Sequence, residues 1–260
     1  MLWVMVNRLS TDARRPASVA VITGGAGGIG LATARLLARD GYNVVLMDRA
    51  GQHLARAAES VRTEGRDVLA LACDVRNTAM VDLAIQTTIA GLGRMDVLVN
   101  TAAIARLGTI EDLSDKGWDS MLEVNLRGTF AACRAAHPHL VAAAPSAVVN
   151  VASISGRTRS VLTDPSYVAS KAGVIGLTKS LAGQWAADGI RVNCVAPGLT
   201  DTAMAAVYTP EQRASFERTI PLGRYADPAE IAEAIVFLAS PRASYITGAV
   251  LDVNGGMFMA

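Results

Sequence analysis

Val19-Ala20-Val21-Ile22-Thr23-Gly24-Gly25-Ala26-Gly27-Gly28-Ile29-Gly30 is the stretch that decides the fold. The opening apolar run reads as a buried strand, and Leu31, Ala34, Leu37 and Ala38 recur on one side of a helix beyond the glycines. Two spacings overlap in the turn between them. Gly25-x-Gly27-x-x-Gly30 matches the general dinucleotide fingerprint, while Thr23-Gly24-x-x-x-Gly28-x-Gly30 is a second pattern over the same residues. Both meet one physical need: a tight strand-to-helix turn whose backbone approaches a pyrophosphate and aims the helix's first N–H groups at its charge.

Outward from that turn, strand and helix alternate. Asn43-Val44-Val45-Leu46-Met47-Asp48, Val68-Leu69-Ala70-Leu71-Ala72, Val97-Leu98-Val99-Asn100, Ala147-Val148-Val149-Asn150-Val151, Arg191-Val192-Asn193-Cys194-Val195 and Val250-Leu251-Asp252-Val253 follow, at intervals that each leave room for a helix. Such alternation implies βαβ units and a parallel sheet. The expectation is an α/β, doubly wound Rossmann fold: a parallel seven-stranded sheet with helices on both faces. A chain of 260 residues with 51% hydrophobic content and a mean hydropathy of +0.31 suits a sheet covered on both sides. No linker or repeat interrupts the series, so residues 18–260 read as one domain. Residues 1–17 read as a flexible or surface-docked extension, because their charges follow the apolar run of residues 1–6, the reverse of a signal peptide.

Charge and cysteine content exclude several classes. A formal charge of +1 gives no electrostatic case for nucleic acid or an anionic membrane. No apolar stretch approaches the ~20 residues of a membrane helix. Cys73, Cys133 and Cys194 are widely separated, with no Cys-x-x-Cys, which supports neither a disulfide framework nor zinc and points to a reducing, cytoplasmic compartment. His137-Pro138-His139 lacks a third ligand and reads as a polar helix end rather than a metal site. His53 reads as solvated.

Asp48 ends the second strand close to the ~20-residue offset at which an acidic side chain meets the adenosine ribose. It would accept both ribose hydroxyls and repel a 2′-phosphate, which favours NAD; Arg49 beside it is the residue that would instead accommodate NADP. The other reading of Asp48 is a cap on the following helix. Asp74-Val75 is placed to meet the adenine edge, and Asn100-Thr101-Ala102-Ala103 to line the cofactor cleft; each also suits a cap or turn.

Downstream, Asp164-Pro165-Ser166-Tyr167-Val168-Ala169-Ser170-Lys171 sets Tyr167 and Lys171 one helical turn apart, on one face. A phenol loses its proton near pH ~10 and serves as an acid or base near neutrality only beside a cation that favours the phenolate. Lys171 is that cation here. A surface helix with an incidental Tyr and Lys is the plainer reading, and the glycine turn upstream argues against it.

With the turn, Asn125 in Val124-Asn125-Leu126, Ser153 in Asn150-Val151-Ala152-Ser153, and the Tyr167/Lys171 pair in place, the chain resembles the short-chain dehydrogenase/reductase superfamily, classical type, from about residue 18 to residue 257. Its Thr-Gly-x-x-x-Gly-x-Gly motif falls on Thr23, Gly24, Gly28, Ile29 and Gly30, and its catalytic tetrad on Asn125, Ser153, Tyr167 and Lys171. Ser155 lies near, but Ser153 follows the strand directly, where the family places its Ser. The family's Asn-Asn-Ala-Gly stands here as Asn100-Thr101-Ala102-Ala103, a departure that keeps Asn100. Pro197, Gly198 and Thr202 resemble the segment that contacts the nicotinamide carboxamide.

The resemblance implies hydride transfer between nicotinamide and a secondary alcohol or ketone, without a metal. Tyr167 would exchange a proton with the substrate oxygen, which Ser153 orients. Lys171 would lower the Tyr167 pKa and hold the nicotinamide ribose, and Asn125 would hold a water leading to solvent. It also implies a homotetramer built on the last strand's edge and a pair of long helices. Residues 202–221 read as a substrate lid with Met204, Tyr208 and Phe216 on its apolar face, although such stripes also occur as core. Arg157 and Arg159 in a neighbouring loop are placed to receive a negative group. Two other functions share these motifs: an NADP-dependent 3-oxoacyl-thioester reductase and a non-catalytic dinucleotide-binding regulator. Asp48 argues against the first, and the intact tetrad against the second.

Overall fold

The computed structural model describes residues 17–158 and 163–259. Seven parallel strands, β1 (Val19–Thr23), β2 (Asn43–Asp48), β3 (Val68–Ala72), β4 (Val97–Asn100), β5 (Ser146–Val151), β6 (Ile190–Pro197) and β7 (Val250–Val253), form one sheet in the order β3-β2-β1-β4-β5-β6-β7. The helices between them are α1 (Gly28–Arg39), α2 (Gln52–Arg62), α3 (Thr78–Leu92), α4 (Asp115–Leu122), α5 (Gly128–Ala142), α6 (Pro165–Trp185), α7 (Pro210–Glu217) and α8 (Pro228–Ala239). This is the doubly wound Rossmann arrangement expected from the sequence. The anticipated extension falls, up to residue 16, outside the described residues.

Alternate strand residues serve opposite faces, as a period of two requires. Ala20, Ile22, Val44, Leu46, Val97 and Val99 pack with Leu37 of α1, Leu54 and Val61 of α2, and Ile231 and Ile235 of α8. Val19, Val21, Val45, Met47 and Leu98 pack on the other side with Ile85 of α3, Leu140 of α5, and Ala182 and Trp185 of α6. Burying both faces explains why the strands read as unbroken apolar runs.

Strand order reverses between β1 and β4, whose register aligns Thr23 with Asn100. In open α/β sheets the crevice beyond the carboxyl ends of strands at such a reversal is where ligands bind. The glycine turn leaves β1 on one side of it, and Asn100 closes β4 on the other. His137 is less solvated than its sequence context suggested, pairing with Asp188 at 3.1 Å and lying 4.6 Å from the Trp185 ring. His53 is exposed. All three cysteines are free and buried, and burial pushes their thiols up to about 11 or 12.

Candidate active site

The glycine turn is shaped for close backbone approach. Gly24 takes a φ of +68°, and a Cβ there would lie 2.7 Å from the Ala102 backbone; one on Gly30 would come within 2.2 Å of the Gly24 carbonyl. Any side chain at either position would wedge the turn open. Helix α1 starts with Gly27 as N-cap, with no side-chain cap and no acidic residue in its first turn. Its leading N–H groups therefore have no side-chain acceptor, and the positive end of the helix faces the crevice mouth. That is a seat for a pyrophosphate. Ile29 packs back onto the core and fixes the start of the helix.

Asp48 is not a helix cap: the N-cap of α2 is Gly51, with no side-chain cap. Its carboxylate instead accepts the Ala26 N–H at 3.0 Å and the Arg49 N–H at 2.7 Å, tying the end of β2 to the glycine turn. Each oxygen keeps lone-pair capacity for a ribose hydroxyl. Asp74 is differently placed than expected. The Arg76 guanidinium grips its carboxylate through Nε and Nη2, the largest of the effects holding Asp74 below the usual carboxylate range. That leaves Asp74 less free for an adenine edge. Val75 is buried against Gly128, where an added Cβ would lie 2.8 Å away.

Beneath the crevice runs a buried polar ladder. The Thr23 hydroxyl donates to Asn100 Oδ1 at 3.3 Å, Asn100 Nδ2 to Asn150 Oδ1 at 2.9 Å, and Asn150 Nδ2 to Thr178 Oγ1 at 2.9 Å. Thr23 and Asn100 thus brace β1, β4, β5 and α6 against one another with their side chains. Thr101, which departs from the family pattern, donates its hydroxyl to the Thr23 carbonyl at 2.6 Å and so locks the β4 loop onto the glycine turn. Asn150 and Thr178 were not singled out in the sequence, because a polar residue inside a strand gains meaning only once its cross-strand partner is known. At the end of β6, beyond Pro197, Gly198 donates to the Val253 carbonyl at 2.9 Å. The Thr202 methyl rests against Gly28, so the root of the lid abuts the glycine turn.

Ser153 follows β5, and Tyr167 and Lys171 lie on α6; all three are buried. Burial raises the Tyr167 phenol above its ordinary value, a hydrogen bond with the Ser153 side chain pulls it back in part, and the Tyr208 hydroxyl adds a small upward push. The Ser153 oxygen itself accepts the Ser155 N–H at 3.1 Å. Lys171 stands beside Tyr167 on the shared helix face, as the spacing implied, but it does not bond the phenol. Its Nζ donates to the Val151 carbonyl at 2.9 Å, lies 5.8 Å from the Tyr167 ring centroid, and is brought down by burial to about 8. Lys171 is not among the groups that lower the phenol in this geometry.

Asn125 sits in a π-helical turn, Glu123–Arg127, between α4 and α5. Its amide bonds the backbone of Ile104 twice, accepting from N and donating to O at 2.9 Å each, and donates to Ser170 Oγ at 3.0 Å. Its N–H donors are thereby committed while Oδ1 keeps a second lone pair, so Asn125 clamps the β4–α4 loop and retains an acceptor.

The proposed substrate residues separate. Arg157 is paired with Asp252 at 3.0 Å and lies over the Phe258 ring, so it is not a free anion receptor; Arg159 lies outside the described residues. Met204 is 44% exposed, whereas Tyr208 and Phe216 meet edge to face at 5.1 Å and pack with Ala205, Ile220 and Tyr225 in a small cluster of their own. Residues 202–221 thus combine an exposed Met204 with a local apolar cluster. Helix α7 is fixed by a Thr209/Gln212 capping box with Pro210 at its first position. A separate groove of about 530 Å³ beside α4, α5 and α6 is lined by Leu122, Leu126, Phe130 and Leu177 among others, and by none of Asn125, Ser153, Tyr167 and Lys171.

Comparison with known proteins agrees with this geometry. Residues 24–258 match a family described as enoyl-(acyl carrier protein) reductase. The chain is 37% identical over 241 residues to the 3-oxoacyl-[acyl-carrier-protein] reductase of Staphylococcus aureus, covering 92% of this chain and 98% of that one. It is 43% identical over 239 residues to the cis-4-hydroxycyclohexanecarboxylate dehydrogenase of Sinomonas cyclohexanicum, covering 92% and 95%. Among solved structures, a variant of the actinorhodin polyketide ketoreductase with NADPH superposes with a TM-score of 0.89 at 33% identity, covering 93% of this chain and 97% of that one.

Proposed function

The chain belongs to the classical short-chain dehydrogenase/reductase superfamily, and from that premise we propose that it oxidises an apolar or cyclic secondary alcohol, or reduces the matching ketone, with NAD as its preferred cofactor. It is a nicotinamide-dependent oxidoreductase of CH–OH and carbonyl groups. The observation that supports the proton-transfer reading is the burial of Ser153 after β5 and Tyr167 on α6, at the carboxyl end of the sheet where the uncapped glycine turn also lies.

When bound, the nicotinamide supplies or accepts the hydride. Tyr167 gives its phenolic proton to the substrate oxygen in reduction and takes it back in oxidation. Ser153, buried at the end of β5, holds the same oxygen in line. Lys171 has three N–H donors, of which Val151 takes one, leaving others for ribose hydroxyls. Thr23, Gly24, Gly28, Ile29 and Gly30 form the pyrophosphate seat, Asp48 receives the ribose, and Gly198 and Thr202 border the nicotinamide. Positioned proton transfer of this kind contributes about 10²–10⁴-fold.

Asp48 supports NAD, since a 2′-phosphate there would meet a carboxylate. A second reading, an NADP-dependent 3-oxoacyl-thioester reductase, draws support from the Staphylococcus aureus relative and from the ketoreductase solved with NADPH. Thermal-shift titration with each cofactor, followed by a hydride-transfer screen across cyclic alcohols and ketones, sugars and 3-oxoacyl thioesters, decides between them. Residues 18–260 act as one domain with a lid at residues 202–221, and the protein is a homotetramer through the open edge of β7 and the apolar groove on α4 and α5. No helix among the described residues is long and apolar enough to cross a membrane.

A further inference from the structure

We propose that Arg106, in the loop between β4 and α4, is a positioning residue for the Tyr167 phenol and acts through the carboxylate of Asp164. The inference rests on the reading of Tyr167 as the proton donor and acceptor. Helix α6 opens with Pro165, which has no N–H, so its first donors are the amides of Ser166 and Tyr167. Both donate to Asp164 Oδ1, at 3.0 and 3.2 Å, and the Ser166 hydroxyl donates to the same oxygen. The other oxygen, Oδ2, accepts Arg106 Nε at 2.8 Å. Each carboxylate oxygen thus has its own task, one setting the start of the helix and one bound to the loop.

The loop itself is held on several sides. The Asp164 N–H donates to the Arg106 carbonyl at 3.0 Å, and Leu107 and Thr163 form an antiparallel bridge. The guanidinium lies on Gly117 of α4, where an added Cβ would come within 2.5 Å of Nη1, so a side chain at 117 would dislodge it. Two residues before Arg106, Ile104 is gripped by Asn125, whose amide also donates to Ser170. Tyr167 therefore stands midway between two anchor points on its own helix, Asp164 three residues before and Ser170 three after. Both are tied to residues 104–107.

Energetics favour the carboxylate as the transmitting element. The Asp164 side chain is 1% exposed and that of Arg106 is 41% exposed. Burial alone would raise the Asp164 carboxyl, but hydrogen bonds from Ser166, Arg106 and the Tyr167 N–H hold it below the usual range, and it stays ionised. Removing the cation leaves a buried charge without its counter-ion, which drives the first turn of α6 to rearrange. A displacement of about 1 Å at a reacting group costs on the order of 10²-fold in rate. No comparable penalty falls on Arg106, which water can reach.

The test uses the full chain, NADH and the cyclic ketone reduced fastest in the screen above. Arg106→Met is expected to lower kcat tenfold or more, leave NADH affinity by fluorescence titration within twofold, and enlarge the solvent deuterium isotope effect on kcat as proton transfer becomes limiting. Arg106→Lys should recover most of the rate. Asp164→Asn keeps the capping oxygen while removing the charge, so it should show the same pattern more weakly and serves if the Met variant does not fold. A kcat within twofold of wild type, or a lower kcat with an unchanged isotope effect, overturns the proposal. Tyr167→Phe, assayed alongside, separates the two ideas. If it stays active the reading of Tyr167 fails, and if it is dead while Arg106→Met matches wild type, only the role of Arg106 fails.

Discussion

The Lys171 ammonium stands 5.8 Å from the centre of the Tyr167 ring and donates its hydrogen bond to the Val151 carbonyl. The two residues share a helix face, but the protein sets their ionisation mainly by burial. Burial lifts the phenol above its ordinary value and brings the ammonium down to about 8.

Direction of reaction should therefore depend on pH with opposite signs. Oxidation needs the phenolate, so with the Tyr167 pKa raised its rate should climb as pH rises into the alkaline range. Reduction needs the phenol and should hold level across neutrality, falling only when the phenol ionises. Initial rates measured in both directions from pH 6 to pH 10 check this. An oxidation rate that is flat over that span would contradict it.

Stability should carry the mark of Lys171. A lysine whose folded pKa is about 8, against an ordinary 10.5, binds fewer protons folded than unfolded between those values. Stability from this group consequently rises with pH across that window and is constant below it. Lys171→Met removes the effect, so the variant should be more stable than wild type at pH 7, by at most about 3 kcal/mol if the whole shift is expressed. Wild type should regain the difference by pH 10.5. Denaturant melts at pH 7 and pH 10 make the comparison, and a difference independent of pH would refute it.

Cofactor choice turns on Asp48. Because its two oxygens already bind the Ala26 and Arg49 amides, the carboxylate is fixed in place with lone pairs to spare, and a 2′-phosphate would be repelled. Wild type should prefer NAD over NADP by tenfold or more in kcat/KM, about 1.4 kcal/mol. Asp48→Ala should narrow the gap while loosening the glycine turn and lowering affinity for both. A wild-type preference for NADP would give the site to Arg49 and favour the acyl-thioester reading.

The strands and the glycine turn were legible because burial on two faces and backbone approach each leave a local signature in residues 19–48. Tyr167 and Lys171 were legible through their spacing on one helix, and Ser153 through the family resemblance at a strand end. What escaped were pairings across long separations. Nothing near Arg157 announces Asp252, 95 residues away, and nothing near Arg106 announces Asp164. Asp74's pairing with Arg76 escaped for the opposite reason: the partner is two residues on, but an ion pair so close in sequence looks no different from a free carboxylate.

Assembly should follow from unpartnered surface. β7 forms one edge of the sheet with Leu251 exposed, and Phe130 stands out on α5 beside the groove lined by Leu122 and Leu126. An open edge invites pairing, and an apolar groove invites burial. Light scattering at micromolar concentration should give a tetramer mass, and Phe130→Arg should reduce it to a dimer without unfolding the protein. A monomer mass for wild type would remove the tetramer from the account.

Within the lid, Met204 and Phe216 should behave differently. Met204 is 44% exposed and lies outside the small cluster, so Met204→Ala should remove contact surface for a substrate with less loss of internal packing. Phe216 meets Tyr208 edge to face and leans on the Ala205, Ile220 and Tyr225 cluster, and an aromatic pair of this kind is worth about 0.5–1.5 kcal/mol beyond its area. Since that cluster is separate from the two main cores, Phe216→Ala should loosen the lid locally and leave the sheet intact. The expected outcome is a several-fold rise in ketone KM for both variants, unchanged NADH affinity, and faster proteolytic nicking near residue 208 for Phe216→Ala alone. Melting temperature should move by no more than a few degrees, because a lid opens locally at lower free energy than the whole fold. A large fall in melting temperature with KM unaltered would show that Phe216 belongs to the body of the protein and does not cover the site.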